Sequence, residues 1–239
     1  MKNPGIKLLA IACALISGCQ PNYYIPNTQN VPLLTSKGET SLTLSGNTNQ
    51  VEFLGAYAAG NHFGIQLNGG LIKPFNQNKE AGGSGKLIEA GLGYFKEMEN
   101  NLVFETYGLF GLGSVENHFP SSKSSATTDQ ETISAGLRRF GVQPVLGFKT
   151  KYFQIAGSAR LVNLSYYNIS GNHVYENELQ TTYLEKNRSS FLIEPAVTVK
   201  GGVENVKFQF QLASSANTTN SDFRQDNFLL TLGLNFNFK

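Results

Sequence analysis

The 239-residue sequence contains no tryptophan, only two cysteines and only 15% charged residues. Soluble domains usually carry about 25% charged residues, so the shortage of charge is informative. No apolar run approaches the roughly 18 residues that a membrane-spanning helix needs, which excludes a helical membrane protein. The 19 Lys and Arg residues nearly balance the 17 Asp and Glu residues and form no basic block, so we expect no nucleic-acid partner.

The first 18 residues have the organisation of a secretory signal peptide. Lys2 and Lys7 provide a short basic start, and the apolar stretch 8–16 is followed by small residues before Cys19. The sequence Ile16-Ser17-Gly18-Cys19 resembles the lipobox of bacterial lipoproteins, in which the cysteine is acylated and becomes the new amino terminus. The resemblance implies a covalent lipid on Cys19. The alternative is a plain secretory signal with an incidental cysteine.

Cleavage before Cys19 would leave a mature chain with neither net charge nor a disulfide. Lys2 and Lys7 leave with the signal, so 19 − 2 = 17 positive residues face 17 negative ones. Cys13 leaves too, and an acylated Cys19 has no partner. Residues 19–37 contain three prolines among Asn and Gln residues, which predicts an extended periplasmic tether.

Beyond the tether, apolar and polar residues alternate with the two-residue period of β-strands. In the last segment, for example, the even-numbered residues from Phe228 to Phe238 are all apolar, and Thr231, Asn235 and Asn237 lie on the other face. Ten such segments are predicted, at 38–47, 50–60, 62–73, 85–97, 101–116, 132–149, 152–168, 190–200, 204–214 and 226–239.

The connections between these segments decide between a soluble sandwich and a membrane barrel. Short turns alternate with longer polar connections, and the number of strands is even. This alternation is typical of outer-membrane barrels, whereas the crossovers of a sandwich would break it. We therefore predict an all-β fold, a closed antiparallel up-and-down transmembrane barrel over residues 38–239. Short periplasmic turns would place the tether and its lipid at the periplasmic leaflet of the outer membrane.

Several segments resemble small outer-membrane β-barrel proteins of Bacteroidota-type bacteria. The similarity is carried by residues 30–34 (NVPLL), 91–95 (GLGYF), 103–108 (VFETYG) and 143–149 (QPVLGFK). It extends over most of the mature chain through motifs of low specificity. The resemblance implies a barrel fold and an outer-membrane location, and it implies no reaction.

Charged residues on the inward face of the predicted strands form a candidate lumen network. A barrel of ten strands encloses a lumen only slightly wider than that of an eight-stranded barrel, which side chains fill. Because buried charges must be paired, we expect a plug of ion pairs, with Glu89 and Glu105 facing Arg139 and Arg160. The alternative is a narrow polar channel. The predicted members are Glu89, Glu105, Arg139, Lys149, Arg160, Glu194 and Lys207.

Two prolines fall in the middle of predicted strands, and proline cannot donate to a sheet ladder. We interpret Pro144 and Pro195 as strand interruptions that bend the barrel. The alternative is a weakened wall where another protein docks.

No arrangement of residues points to catalysis, a metal or a cofactor. Of the three histidines, His118 and His173 fall in predicted long loops and are expected to be solvated. Asp222 and Asp226 lie among Asn residues without the spacing of a calcium loop. The sequence therefore predicts no catalytic, metal or cofactor residues.

The prediction for function is a lipid-anchored, non-enzymatic structural or accessory subunit of a larger outer-membrane complex. Its partners would be outer-membrane lipids and other outer-membrane proteins. The alternatives are a small pore, and a surface adhesin or receptor that uses the long loops.

Overall fold

A computed structural model describes residues 22–73, 82–119 and 131–239. Cys19 and the predicted signal peptide lie outside the described residues. Ten long strands form one sheet: β1 (Thr40–Gly46), β2 (Gln50–Ala58), β3 (Phe63–Ile72), β4 (Gly82–Glu97), β5 (Leu102–Phe119), β6 (Glu131–Lys149), β7 (Phe153–Gly171), β10 (Ser189–Gly202), β11 (Val206–Ser214) and β13 (Phe228–Phe238). In the described residues, five small elements lie in the connections: a 3-10 turn (Glu99–Asn101), β8 (Val174–Tyr175), β9 (Glu178–Leu179), α1 (Gln180–Lys186) and β12 (Ala216–Asn217).

The sheet closes on itself. Every long strand pairs antiparallel with its neighbours in chain order, and β1 also pairs with β13, from Thr40 opposite Phe238 to Gly46 opposite Leu232. Closure removes the open edges that would otherwise template aggregation. The predicted ten-stranded up-and-down barrel is confirmed, and each strand overlaps its predicted segment.

The two ends of the barrel differ. At one end, called the short-turn end, residues 59–62, 98–101, 150–152 and 203–205 connect the strands. The other, the long-loop end, carries the three-residue connection 47–49 and the longer connections, which contain β8, β9, α1 and β12. Because β4 to β7 have 16 to 19 residues each, the wall rises higher there than beside β1 to β3, which have 7 to 10.

Polarity is reversed relative to a water-soluble protein. On β13, Leu232 points outward with 63% of its surface exposed, whereas inward-pointing Thr231 and Asn235 are buried. On β6 the outward residues from Phe140 to Phe148 are apolar over about 27 Å of strand. The next outward residue toward the long-loop end is the polar Arg138. An outer apolar band of about 25 Å around a polar interior is the arrangement of a membrane barrel. In the described part of the chain, no helix is long and apolar enough to cross a membrane.

The chain before β1 runs through the interior of the barrel. Residues 22–38, called the lumen segment, form no regular element, and residues 26–34 are all buried. At the long-loop end Tyr24 bridges Gln225, and at the short-turn end the Gly38 amide donates to the Ala58 carbonyl at 2.9 Å. The tether predicted for residues 19–37 would lie outside the barrel, but residues 22–37 lie inside it, because the polar lumen provides their hydrogen-bond partners.

Candidate functional site: the occupied lumen

In a sheet, a neighbouring strand provides the hydrogen-bond partners of the backbone. For the lumen segment, side chains of the barrel wall provide these partners. The Thr28 amide donates to both carboxylate oxygens of Glu52, at 3.1 and 3.0 Å. The side chain of Gln211 accepts from the Gln29 amide at 2.7 Å and donates to the Gln29 carbonyl at 2.9 Å. Buried backbone groups without partners are costly, so these contacts determine where the segment lies.

Halfway down the lumen, Asn30 connects the segment to three strands. Its side-chain amide donates to the Gly55 carbonyl at 2.9 Å and to the Asn68 side chain at 2.8 Å. The Asn30 carbonyl accepts from Gln143 Nε2 at 2.7 Å. Pro26 and Pro32 lie on either side, and because proline has no N–H, each reduces the number of buried donors.

Near the short-turn end, charged side chains bind the backbone of the segment directly. Glu105 accepts from the Leu33 amide at 3.1 Å and from the Leu34 amide at 2.7 Å. Lys149 donates to the Leu33 carbonyl and Lys200 to the Val31 carbonyl, both at 2.7 Å. These hydrogen bonds involve a charged group, which makes them stronger than neutral ones.

A close fit at Leu33 accompanies these hydrogen bonds. Leu33 has a positive φ of 52°, which is rare for a side chain of this kind. A Cβ on Gly147 would lie 2.6 Å from a Leu33 methyl carbon, so the glycine leaves room for the leucine. The hydrogen bonds from the Leu33 and Leu34 amides to Glu105 hold this unusual backbone conformation in place.

Two fully buried ion pairs hold the long-loop half of the lumen. Arg139 Nε donates to Glu89 Oε2 at 2.8 Å, and Arg160 Nε donates to Glu194 Oε2 at 2.7 Å. The hydroxyl of Tyr24 joins the two pairs, since it donates to Glu194 at 2.8 Å and accepts from Arg139 at 3.2 Å. The lumen segment is thus part of the charge network.

The structure places all seven sequence-predicted lumen residues on the inner face. Within the described ranges Glu105, however, pairs with no arginine, and the expectation that it would is wrong because backbone amides of the lumen segment occupy its carboxylate. Lys149 contacts Glu39, and Lys207 Nζ donates to the Glu204 carbonyl at 2.6 Å. Glu194, Arg139, Glu89 and Arg160 form the two arginine pairs.

Sequence reasoning missed three further members: Glu39, Glu52 and Lys200. Two of them follow the period-two pattern, because Glu52 shares its face with Gln50, and Lys200 shares its face with Glu194. That alternation could have identified them. Glu39 precedes β1 and follows no strand pattern.

Replacing Glu105 with alanine should lower the free energy of unfolding by about 2–6 kcal/mol. The Leu33 and Leu34 amides would lose their acceptor, and each unsatisfied buried group costs about 1–3 kcal/mol. Glu105→Gln keeps one acceptor oxygen, so its loss of stability should lie between that of Glu105→Ala and zero. The matched control is Thr106→Ala on the outer face, which should change stability by less than about 0.5 kcal/mol. Urea unfolding in lipid vesicles measures all three, and equal effects of Glu105→Ala and Thr106→Ala would contradict the assignment.

At the long-loop end, the lumen segment enters beneath a small hydrophobic cluster. Tyr23 and Tyr166 are buried against Leu184 of α1 and Phe223. Arg224 stacks over the rings of Tyr175 and Tyr183, with centroid distances of 4.6 and 4.4 Å. The connections 172–188 and 215–227 therefore form a packed cap at this end.

The histidine predictions need correction. His173 is buried, with Nδ1 at 3.0 Å from Glu131 and its ring stacked 3.9 Å from Phe119. His118 lies in β5, which continues to Phe119. His118 was expected in a loop, but β5 extends farther because the tall wall continues above the apolar band. His173 does lie in the connection between β7 and β8, but it is not solvated, because Phe119 and Glu131 pack against it.

Neither proline interrupts its own strand. β6 and β10 run continuously through Pro144 and Pro195, and only one ladder of each is affected. The β6–β7 ladder has no pairs between Val142 and Val145, and the β10–β11 ladder begins at Ala196. Pro195 pairs with Ala159, which also lies level with Pro144, so the three form an outward-facing row across the wall.

In the ranges that the structure covers, no three His, Cys, Asp or Glu residues are placed to hold a metal ion. Asp226 instead accepts a hydrogen bond from the Asn22 side chain at the long-loop end. Burial raises the pKa of the Asp226 carboxyl above its ordinary value.

No protein-family model and no curated protein matches the sequence. Among solved structures, the chain is similar to a major outer membrane protein from Thermus thermophilus, with 11% identity and a TM-score of 0.40. The similarity covers 84% of this chain and 98% of that chain. The barrel is established by its own strand pairing and burial pattern.

Proposed function

We propose that the protein is an outer-membrane barrel, acylated at Cys19, that acts as a non-enzymatic structural or accessory subunit of a larger outer-membrane complex. The observation that carries the proposal is the filled lumen. Residues 26–34 are buried inside the barrel, and charged and amide side chains from the inner face bind them. A barrel whose interior is occupied offers solutes no open path, which argues against the small-pore alternative.

With the lumen occupied, the outer wall and the long-loop end are the surfaces left for partners. The row of Pro144, Ala159 and Pro195 marks a place on the wall where the β6–β7 and β10–β11 ladders, on either side of the continuous β7–β10 ladder, each lack pairs. We propose this row as the docking position for a protein partner within the membrane.

Site-specific photocrosslinking in cells, followed by purification in mild detergent, tests the proposal. A photoreactive amino acid at Val142 or Val197, which flank the prolines on the outer face, should capture a protein that co-purifies in stoichiometric amount. The control position is Phe53 on β2, on the opposite side of the barrel, where lipid adducts should dominate. Purification without a partner, and only lipid adducts at Val142 and Val197, would contradict an accessory role.

The membrane-facing wall gives a separate prediction. Val197→Arg should destabilise the barrel by about 2–4 kcal/mol in lipid vesicles, because it places a charge in the middle of the outer apolar face. Ser189→Arg, outward on the same strand at the long-loop end, should cost no more than about 1 kcal/mol. Urea titration in vesicles measures both, and equal small effects would mean that this wall does not face lipid.

Assays for lipase and protease activity on the purified protein address the enzymatic alternative. We expect no turnover. Turnover that is lost on His173→Ala would contradict the proposal, because His173 beside Glu131 is the arrangement closest to an acid–base pair among the described histidines.

A further inference from the structure

The lumen segment adds an eleventh crossing to the ten strands of the barrel. At its beginning, the Tyr23 amide donates to the Arg224 carbonyl at 2.9 Å, and the Tyr24 carbonyl accepts from the Asp226 amide at 2.9 Å. Both partners lie in the connection before β13, at the long-loop end. At its other end the segment meets β2 through Gly38 and Ala58, at the short-turn end.

An odd number of crossings puts the two ends of a chain on opposite sides of a membrane. Ten strands alone would leave both ends together, and Thr40 does pair with Phe238 at the short-turn end. Building on the membrane barrel proposed above, we propose that the mature amino terminus lies at the long-loop face, on the external side of the membrane, opposite Lys239.

The proposal changes the position expected for the lipid anchor. Two residues separate Cys19 from Asn22, and the three residue-to-residue steps, at no more than about 3.6 Å each, span at most about 11 Å. The apolar band of a barrel is about 25 Å tall, so acyl chains on Cys19 cannot reach the leaflet at the short-turn end. With short turns in the periplasm, as is usual for such barrels, the acyl chains lie in the external leaflet. The sequence alone predicts the periplasmic leaflet instead.

Contacts along the whole lumen keep the segment in place. Tyr24, Thr28, Gln29 and Asn30 bond to the inner wall, and Glu105 holds the far end. Retracting the segment toward either side would leave these buried polar groups unpaired, which opposes sliding. The amino terminus therefore has a fixed side.

Protease cleavage on intact cells tests the topology. One full-length variant carries a recognition site for a highly specific protease, joined to an epitope tag, after Gln20. A matched variant carries the same insertion after Lys239. A third variant carries the site in the turn between Glu176 and Asn177, at the long-loop end, as the orientation reference. Incorporation of an alkyne-labelled fatty acid reports the acyl group, and Cys19→Ser supplies the unlabelled control.

Protease added outside the cells should cut the sites after Gln20 and after Glu176 and spare the site after Lys239 until the cells are permeabilised. Cleavage after Gln20 should also separate the fatty-acid label from the barrel. Protection of the Gln20 site together with the Lys239 site would overturn the eleventh crossing. Cleavage at Lys239 alone would overturn the external placement. Neither readout depends on a partner protein or on conductance, so failure here is distinguishable from failure of the accessory role.

Discussion

A variant lacking residues 22–34 should conduct ions across a planar lipid bilayer, whereas the full-length protein should show no steady current. The deletion removes the part of the chain that fills the lumen and leaves β1 to begin at Thr40. Glu52, Glu105 and Lys200 would lose the backbone groups that they bind, and water would take those places. A continuous hydrated path lined by charged side chains is what ion conduction requires.

Loss of the anchor or of the fold could imitate such a result, so two controls accompany the deletion. Cys19→Ser retains the lumen segment and should stay non-conducting. The deletion variant should still migrate as a folded barrel on unheated gels, because the closed strand pairing does not include the lumen segment. We expect it to be less stable than the full-length protein. A folded deletion variant that carries no current would show that wall side chains alone close the lumen.

The barrel itself could be predicted because its strands obey a local rule. In a strand, successive side chains point to opposite faces, so each segment shows one face to lipid and one to the lumen without reference to its neighbours. Leu230, Leu232 and Leu234 against Thr231 and Asn235 show the rule within a few residues. Strand limits were less accurate at the tall wall, where outward residues beyond the apolar band become polar.

The course of the lumen segment could not be predicted, because its partners are far away in the sequence. Gln29 forms a hydrogen bond with Gln211, and Thr28 forms one with Glu52. No local sequence pattern predicts these contacts. Prolines and amides suit a solvated tether and a hydrogen-bonded lumen peptide equally well. One available signal was the excess of inward Gln and Asn residues, which need partners that ion pairs do not supply.

The cap escaped prediction for a similar reason. Tyr23, Leu184 and Phe223 come from three segments that are polar on average, and each contributes one or two apolar side chains. Only the assembled cluster is hydrophobic, so no single connection differs from a soluble loop in its composition. His173 is buried by the same assembly.

Arg139 and Arg138 are adjacent in the sequence but should differ sharply on replacement by alanine. Arg139 points inward and pairs with Glu89 and Tyr24, whereas Arg138 points outward and is exposed. Removing one partner of a buried ion pair leaves the other charge uncompensated and costs about 3–5 kcal/mol. Arg139→Ala should lose that amount in urea unfolding in lipid vesicles, and Arg138→Ala should stay within about 0.5 kcal/mol of the unmodified protein.

A double-mutant cycle with Glu89 separates the ion pair from simple loss of volume. In the Arg139→Ala background, Glu89→Gln removes the uncompensated charge and should restore part of the lost stability, whereas Glu89→Gln alone should destabilise. The effect of Glu89→Gln on stability should change sign between the two backgrounds because Arg139 is the cation that Glu89 contacts, at 2.7 Å between Nη2 and Oε2. If the two substitutions were additive, the lumen would be hydrated enough to screen the pair. The lumen segment would then owe its position to the uncharged contacts of Gln29 and Asn30.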